Sequence, residues 1–142
     1  MVGRKVGFGL KNGLSMILCV GEKVEERQAG ELEAVLRRQI EAGLAEVGAD
    51  VAPEKLAVAY EPVWAIGTGL TAGPEEVAEA HALVRSMLVE RLGAVGGNIR
   101  ILYGGSVKPG NAGQLLGIDN VDGVLVGGAS LEAGSFAAIV TA

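Results

Sequence analysis

The chain has 142 residues, 49% of them hydrophobic, a formal net charge of −5 and a single cysteine. It carries no basic stripe and no block of like charge, so no nucleic acid and no membrane surface is expected as a partner; an anionic small molecule would have to be held by local groups. One cysteine provides no disulfide framework, which fits a reducing, cytoplasmic setting, and no stretch approaches the ~18 apolar residues of a membrane span.

Taken in chain order, Val2 to Lys11 predicts an opening helix in spite of three glycines. Lys11 and Asn12 interrupt the apolar run that a secretory leader would need. Ser15 to Val20 predicts the first strand, and Cys19 inside it reads as a buried structural thiol. Leu32, Val35, Leu36, Ile40, Leu44 and Val47 then recur at helical spacing. Leu56 to Glu61 predicts a second strand, apolar enough to be buried on both faces. Pro74, followed by Glu75 and Glu76, opens a helix as a first-turn proline with acids suited to the helix dipole, and Val77, Ala80, Val84, Met87 and Leu88 form its apolar stripe. Gly93, Gly96 and Gly97 end it. Strands at Ile99 to Tyr103 and Gly123 to Val126, with short helices after Pro109 and Glu132, complete the chain. Alternating strands and helices predict an α/β fold with a parallel sheet, and with no linker in sight residues 1–142 read as one unit.

Ala59 to Gly69, AYEPVWAIGTG, is the stretch richest in chemistry. Glu61 interrupts an apolar strand at its carboxyl end, and Pro62 stops that strand. Val63, Trp64, Ala65 and Ile66 are too apolar for an ordinary solvated turn, and Gly67-Thr68-Gly69 offers amides that can approach an anion. The combination suggests a lid beside a carboxylate. Gly104-Gly105-Ser106 and Gly127-Gly128-Ala129-Ser130 follow the last two strands, so two successive strand ends present small residues between which a dianion could sit. Gly67 to Ala72 also matches the dinucleotide fingerprint G-x-G-x-x-G/A, but the first glycine stands well past the strand and Glu90 falls inside a helix, so the context excludes that reading.

The run at Ala59 to Gly69 resembles the signature of the triosephosphate isomerase family. ILCVGE at Ile17 to Glu22, ILYGGSVKP at Ile101 to Pro109 and VDGVLVGGASL at Val121 to Leu131 are similar to further family segments, in the same order. The resemblance spans the chain but only the second half of the family's pattern, from about the helix before the fifth strand. It implies a parallel (β/α) half-barrel of four strands with covering helices, part of a (β/α)8 barrel, which typically takes roughly 250 residues. It also implies Glu61 as the base of a cofactor-free, metal-free aldose–ketose isomerisation of a triose phosphate. Phosphate contacts map onto Gly67, Ser106, Gly127 and Gly128. The lid maps onto Pro62, Val63, Trp64, Ala65, Ile66, Thr68 and Gly69, with Glu22, Trp64 and Tyr60 anchoring it. Leu70 departs from the basic residue usual after the last lid glycine.

The family's electrophiles, a His after the fourth strand and a Lys after the first, have no counterpart in this sequence. His81, four residues after Val77 and three before Val84, reads as a structural helix histidine. The competing expectation is a catalytically silent half-barrel that binds phosphate or self-associates. Four strands leave two open edges, so a homodimer or association with a complementing amino-terminal half is expected.

Overall fold

The computed structural model describes residues 1–66 and 71–142. Helices α1 (Val2–Lys11), α2 (Val24–Gln28), α3 (Leu32–Gly43), α4 (Pro74–Leu92), α5 (Pro109–Leu116) and α6 (Ala133–Val140) alternate with strands β1 (Met16–Val20), β2 (Leu56–Tyr60), β3 (Arg100–Tyr103) and β4 (Gly123–Val124). The strands lie side by side in the order β1-β2-β3-β4. All three pairings are parallel, with Val20, Tyr60, Tyr103 and Val124 in one row across the sheet and Cys19, Ala59, Leu102 and Gly123 in the next. This is the open four-stranded α/β sheet expected of half a barrel.

Strand alternation sends these rows to opposite faces. Leu18, Val20, Val58, Tyr60, Ile101 and Tyr103 are each at most 3% exposed and join Leu36, Ile40, Val77, Val84 and Leu88 of α3 and α4 in one core. On the other face Ile17 is 49% exposed and Cys19 is exposed. The expectation of a buried thiol is therefore corrected. Cys19 sits in an apolar run, but its parity puts it on the open face. β2, flanked on both sides, is buried except for a half-buried Ala57.

Local chemistry explains the element ends. Pro74 starts α4, the Gly73 amide donates to Glu76 at 2.7 Å, and Gly93 ends the helix at φ 65°, which costs glycine little. β4 is shorter than expected, although Leu125 still donates to the Tyr103 carbonyl at 2.8 Å. The five-residue α2 and the 3-10 turn at Val63–Ala65 carry no strong sequence periodicity and were not expected.

Arg85 of α4 pins the amino-terminal ends of β3 and β4. Its guanidinium donates to the carbonyls of Gly96 (2.9 Å) and Ile99 (2.6 Å), to Asn120 Oδ1 (3.2 Å) and to Asp122 Oδ2 (2.7 Å). Asp122 Oδ2 in turn accepts the Ile101 amide at 2.8 Å. No helix among the described residues is long and apolar enough to cross a membrane.

Candidate active site

Glu61 follows β2 and is held by the sheet ladder. Its amide donates to the Val20 carbonyl at 2.7 Å, and the Gly104 amide donates to the Tyr60 carbonyl at 2.8 Å. Both neighbours are glycines for a steric reason. A side chain at Gly21 would run into the Glu61 carbonyl, and a Cβ at Gly104 would stand 2.5 Å from Glu61 Cγ. The half-buried carboxylate is thus packed between the ends of β1 and β3.

Cys19 shares the open face with Glu61. Its pKa is pushed up to about 11, first by desolvation, then by the charge of Glu61 and by a hydrogen bond to that carboxylate. At pH 8 its thiolate fraction should be about 100-fold below that of a thiol at the ordinary 9.0. Plotted against pH, the alkylation rate of Cys19 is expected to inflect near pH 11, and Glu61→Gln should move that inflection downward because a neutral amide no longer repels the thiolate. An inflection near 9 that ignores the substitution would show the two groups to be uncoupled.

Beside Glu61 opens a cleft of about 420 Å³ lined by Ile66, Ser106, Lys108, Gly127 and Gly128 among others. Asn111 of α5 fixes its β3 side, with Nδ2 donating to the Ser106 carbonyl at 2.9 Å and Oδ1 accepting the Lys108 amide at 2.7 Å. On the β4 side the Gly127 carbonyl accepts both the amide (2.9 Å) and the hydroxyl (2.7 Å) of Ser130. A Cβ at Gly127 or Gly128 would meet nothing within 4 Å, so those glycines leave their backbone open to the cleft. Lys108 is the one cation among the described lining residues.

The expected anchoring group is assembled around Glu22, which is wholly buried. Its Oε1 accepts the Tyr60 hydroxyl at 3.1 Å and the Trp64 indole N–H at 2.9 Å, and its carbonyl accepts the Val63 amide at 3.0 Å. Burial, then the Glu22 charge, raises the Tyr60 pKa well above its ordinary value, so the phenol stays a donor. Pro62 and Ala65 are buried, whereas Val63 (48%) and Ile66 (47%) present apolar side chains to the outside. The expected site residues Gly67, Thr68 and Gly69, and the departure at Leu70, lie outside the described residues.

His81 is fully buried in α4, with Nδ1 2.8 Å from the Asn120 carbonyl and its ring edge-on to Tyr60 at 5.8 Å. Burial lowers its pKa, so it stays neutral at pH 7. No group of three His, Cys, Asp or Glu side chains able to hold a metal stands together among the described residues. Sequence reasoning missed Arg27, whose guanidinium lies 4.0 Å from Glu22 and 2.8 Å from Glu79, and it missed Lys108 and Asn111. The parity of β1 could have revealed the Cys19–Glu61 pair; Arg27 leaves no local signal because its partners lie on other elements.

Four parallel strands with helices packed on one face, and an acid and two glycine loops at the strands' carboxyl-terminal ends, define half of a (β/α)8 barrel. The family model described as Triosephosphate isomerase matches residues 1–142, and the chain belongs to that family. It is 64% identical over 141 residues to "Triosephosphate isomerase" of Nitratidesulfovibrio vulgaris (strain DP4), covering 99% of this chain and 56% of that protein. It is 53% identical over 142 residues to "Triosephosphate isomerase" of Azoarcus sp. (strain BH72), covering 100% of this chain and 57% of that one. The crystal structure of triosephosphate isomerase from Bartonella henselae superposes with a TM-score of 0.88 at 42% identity, over 98% of this chain and 55% of that chain. The chain thus spans a little over half the length of these relatives.

Proposed function

We propose that these 142 residues form one unit, the carboxyl-terminal half of a triosephosphate isomerase barrel, and that they supply its base, lid and phosphate site. Glu61 takes the proton from the carbon next to the carbonyl of glyceraldehyde 3-phosphate or dihydroxyacetone phosphate. The resulting enediolate receives that proton on the neighbouring carbon while the hydroxyl proton of the one oxygen passes to the former carbonyl oxygen, so a single carboxylate serves both transfers at carbon without cofactor or metal. The handling of charge falls to the glycine loops, with Gly67, Ser106, Gly127 and Gly128 receiving the phosphate and Lys108 adding a positive charge beside them. Pro62 to Gly69 close over the substrate, anchored through Trp64 and Tyr60 on Glu22. A reducing cytoplasm, where triose phosphates are metabolised, suits the lone cysteine.

One observation carries this reading: Glu61 and both glycine loops line the same cleft. A second reading, a silent half-barrel that binds phosphate without turning it over, is favoured by the exposed Ile17 and Cys19 on the face opposite the core. On either reading the half-barrel associates with a second copy or with a complementing amino-terminal half. Titrating inorganic phosphate while following backbone amides by NMR tests the shared element. The amides of Ser106, Gly127 and Gly128 are expected to shift together and saturably. Shifts confined to α1 or another basic surface would remove the phosphate site from both readings.

A further inference from the structure

The side chain of Glu22 is loaded on one oxygen only. Tyr60 and Trp64 both donate to Oε1, at 3.1 and 2.9 Å, while Oε2 is buried and hydrogen-bonds to no described residue. Two neutral donors do not offset a negative charge, and a wholly buried carboxylate without a cation gives up its charge or its place. Among the described residues one cation stands within 4.0 Å of it, the guanidinium of Arg27. That charge is felt at the neighbouring phenol as well, where it opposes the rise in the Tyr60 pKa caused by burial and by Glu22.

The backbone of this region is fixed without Arg27. Gln39 of α3 grips Gly21, its Oε1 accepting the amide at 2.8 Å and its Nε2 donating to the carbonyl at 3.0 Å, so the chain just ahead of Glu22 is held. The carboxylate is set separately. Arg27 Nη2 donates to Glu79 Oε2 at 2.8 Å, whereas Nη1, the atom nearest Glu22, is buried and hydrogen-bonds to no described residue. The guanidinium is therefore shared unequally, in full contact with a Glu79 side chain that is 58% exposed and just beyond hydrogen-bond distance of the buried acid. An exposed ion pair is worth little, while taking the cation from a buried carboxylate costs far more. The two acids also stand at opposite ends of the segment read as a lid. Glu22 holds Val63 and Trp64 at its start, and Glu79 lies in α4, which begins at Pro74 just after it.

We infer that Arg27 is a positioning residue, shared between Glu79 and Glu22, whose charge sets how firmly Glu22 holds Trp64. It acts on the lid only through Trp64, so this role rests on the lid reading given above. Glu79 works against it, because each tenth of an ångström by which the guanidinium leans on the exposed acid is taken from its approach to the buried one.

Trp64 is the one tryptophan of the chain, so its indole N–H gives a single NMR signal whose exchange with solvent reads the bond to Glu22 in the whole protein. Arg27→Met keeps the reach of the side chain and removes its charge; it should speed indole exchange about 10- to 100-fold, the scale of one lost hydrogen bond to a charged group. Arg27→Lys keeps the charge and should stay close to the unsubstituted chain. Glu79→Gln should slow exchange, since it frees the guanidinium to close on Glu22, whereas a role in packing alone would have both substitutions loosen the indole. In a Glu22→Gln background neither Arg27→Met nor Glu79→Gln should have an effect. Exchange that ignores Arg27→Met, that responds to it equally with Glu22→Gln present, that is speeded by Glu79→Gln, or that is no better with Arg27→Lys than with Arg27→Met overturns the inference. Should circular dichroism show Arg27→Met unfolded, Glu79→Gln at its exposed position decides alone, with slower exchange expected and unchanged or faster exchange overturning the role. The phosphate titration separates this failure from that of the proposed site. Saturable shifts at Gly127 and Gly128 beside an indole indifferent to Arg27 would leave the site standing without the positioning residue, and an Arg27-dependent indole without such shifts would do the reverse.

Discussion

The 142-residue chain alone is expected to isomerise glyceraldehyde 3-phosphate at least about 10²–10³-fold more slowly than full-length members of its family, the usual penalty for losing one preorganised oxyanion donor. As the proton leaves carbon, charge builds on the substrate carbonyl oxygen, and the family meets it with a Lys and a His that this sequence does not contain. No described residue replaces them. His81 is buried and neutral in α4, with one ring nitrogen committed to Asn120. Lys108 lines the cleft on the Ser106 side, where the phosphate is proposed to lie. A coupled assay on protein freed of host enzyme measures this directly, and adding a separately produced amino-terminal half that carries both electrophiles should raise the rate. Turnover by the purified chain alone at the rate of full-length relatives would sink the expectation.

Legibility from sequence followed the range of the interaction. The α4 boundaries rest on Pro74 and Gly93 and were readable, as was the position of Glu61 after an apolar run. The Glu22, Tyr60 and Trp64 cluster joins residues 38 and 42 positions apart and was reached through family resemblance. Parity was the information left unused. Alternation within Met16–Val20 separates Leu18 and Val20 from Ile17 and Cys19, but an apolar run looks uniform until the face that lacks a covering layer is known. The same limit hid the steric demand on Gly21 and Gly104, since both glycines are small because of Glu61 and neither lies beside it in a helix or strand of its own. The cation in the cleft stayed unread for a related reason. Lys108 looks like an ordinary residue ahead of a helix proline until Asn111 folds the turn back onto Ser106.

In any assembly that does turn over, Glu61→Asp is expected to lower kcat by about 10²-fold or more while leaving the affinity for a phosphate-bearing inhibitor nearly unchanged, since displacing a reacting group by about 1 Å is enough for such a loss. The backbone on either side of Glu61 cannot follow a shorter side chain into the cleft. Its amide is tied to Val20 at 2.7 Å, its carbonyl abuts Gly21, and the following Pro62 is buried. Aspartate therefore draws the carboxylate back by about one methylene, into the space beside Gly104, without moving the loops at Ser106 and Gly127. Those loops are held by Asn111 and Ser130 and contact Glu61 through no hydrogen bond among the described residues. Binding and proton transfer should thus separate, with turnover falling and inhibitor affinity staying put. A loss of inhibitor affinity as large as the loss of turnover would mean that Glu61 holds the ligand as well as attacking it, and the division of labour between the carboxylate and the glycines would have to be abandoned.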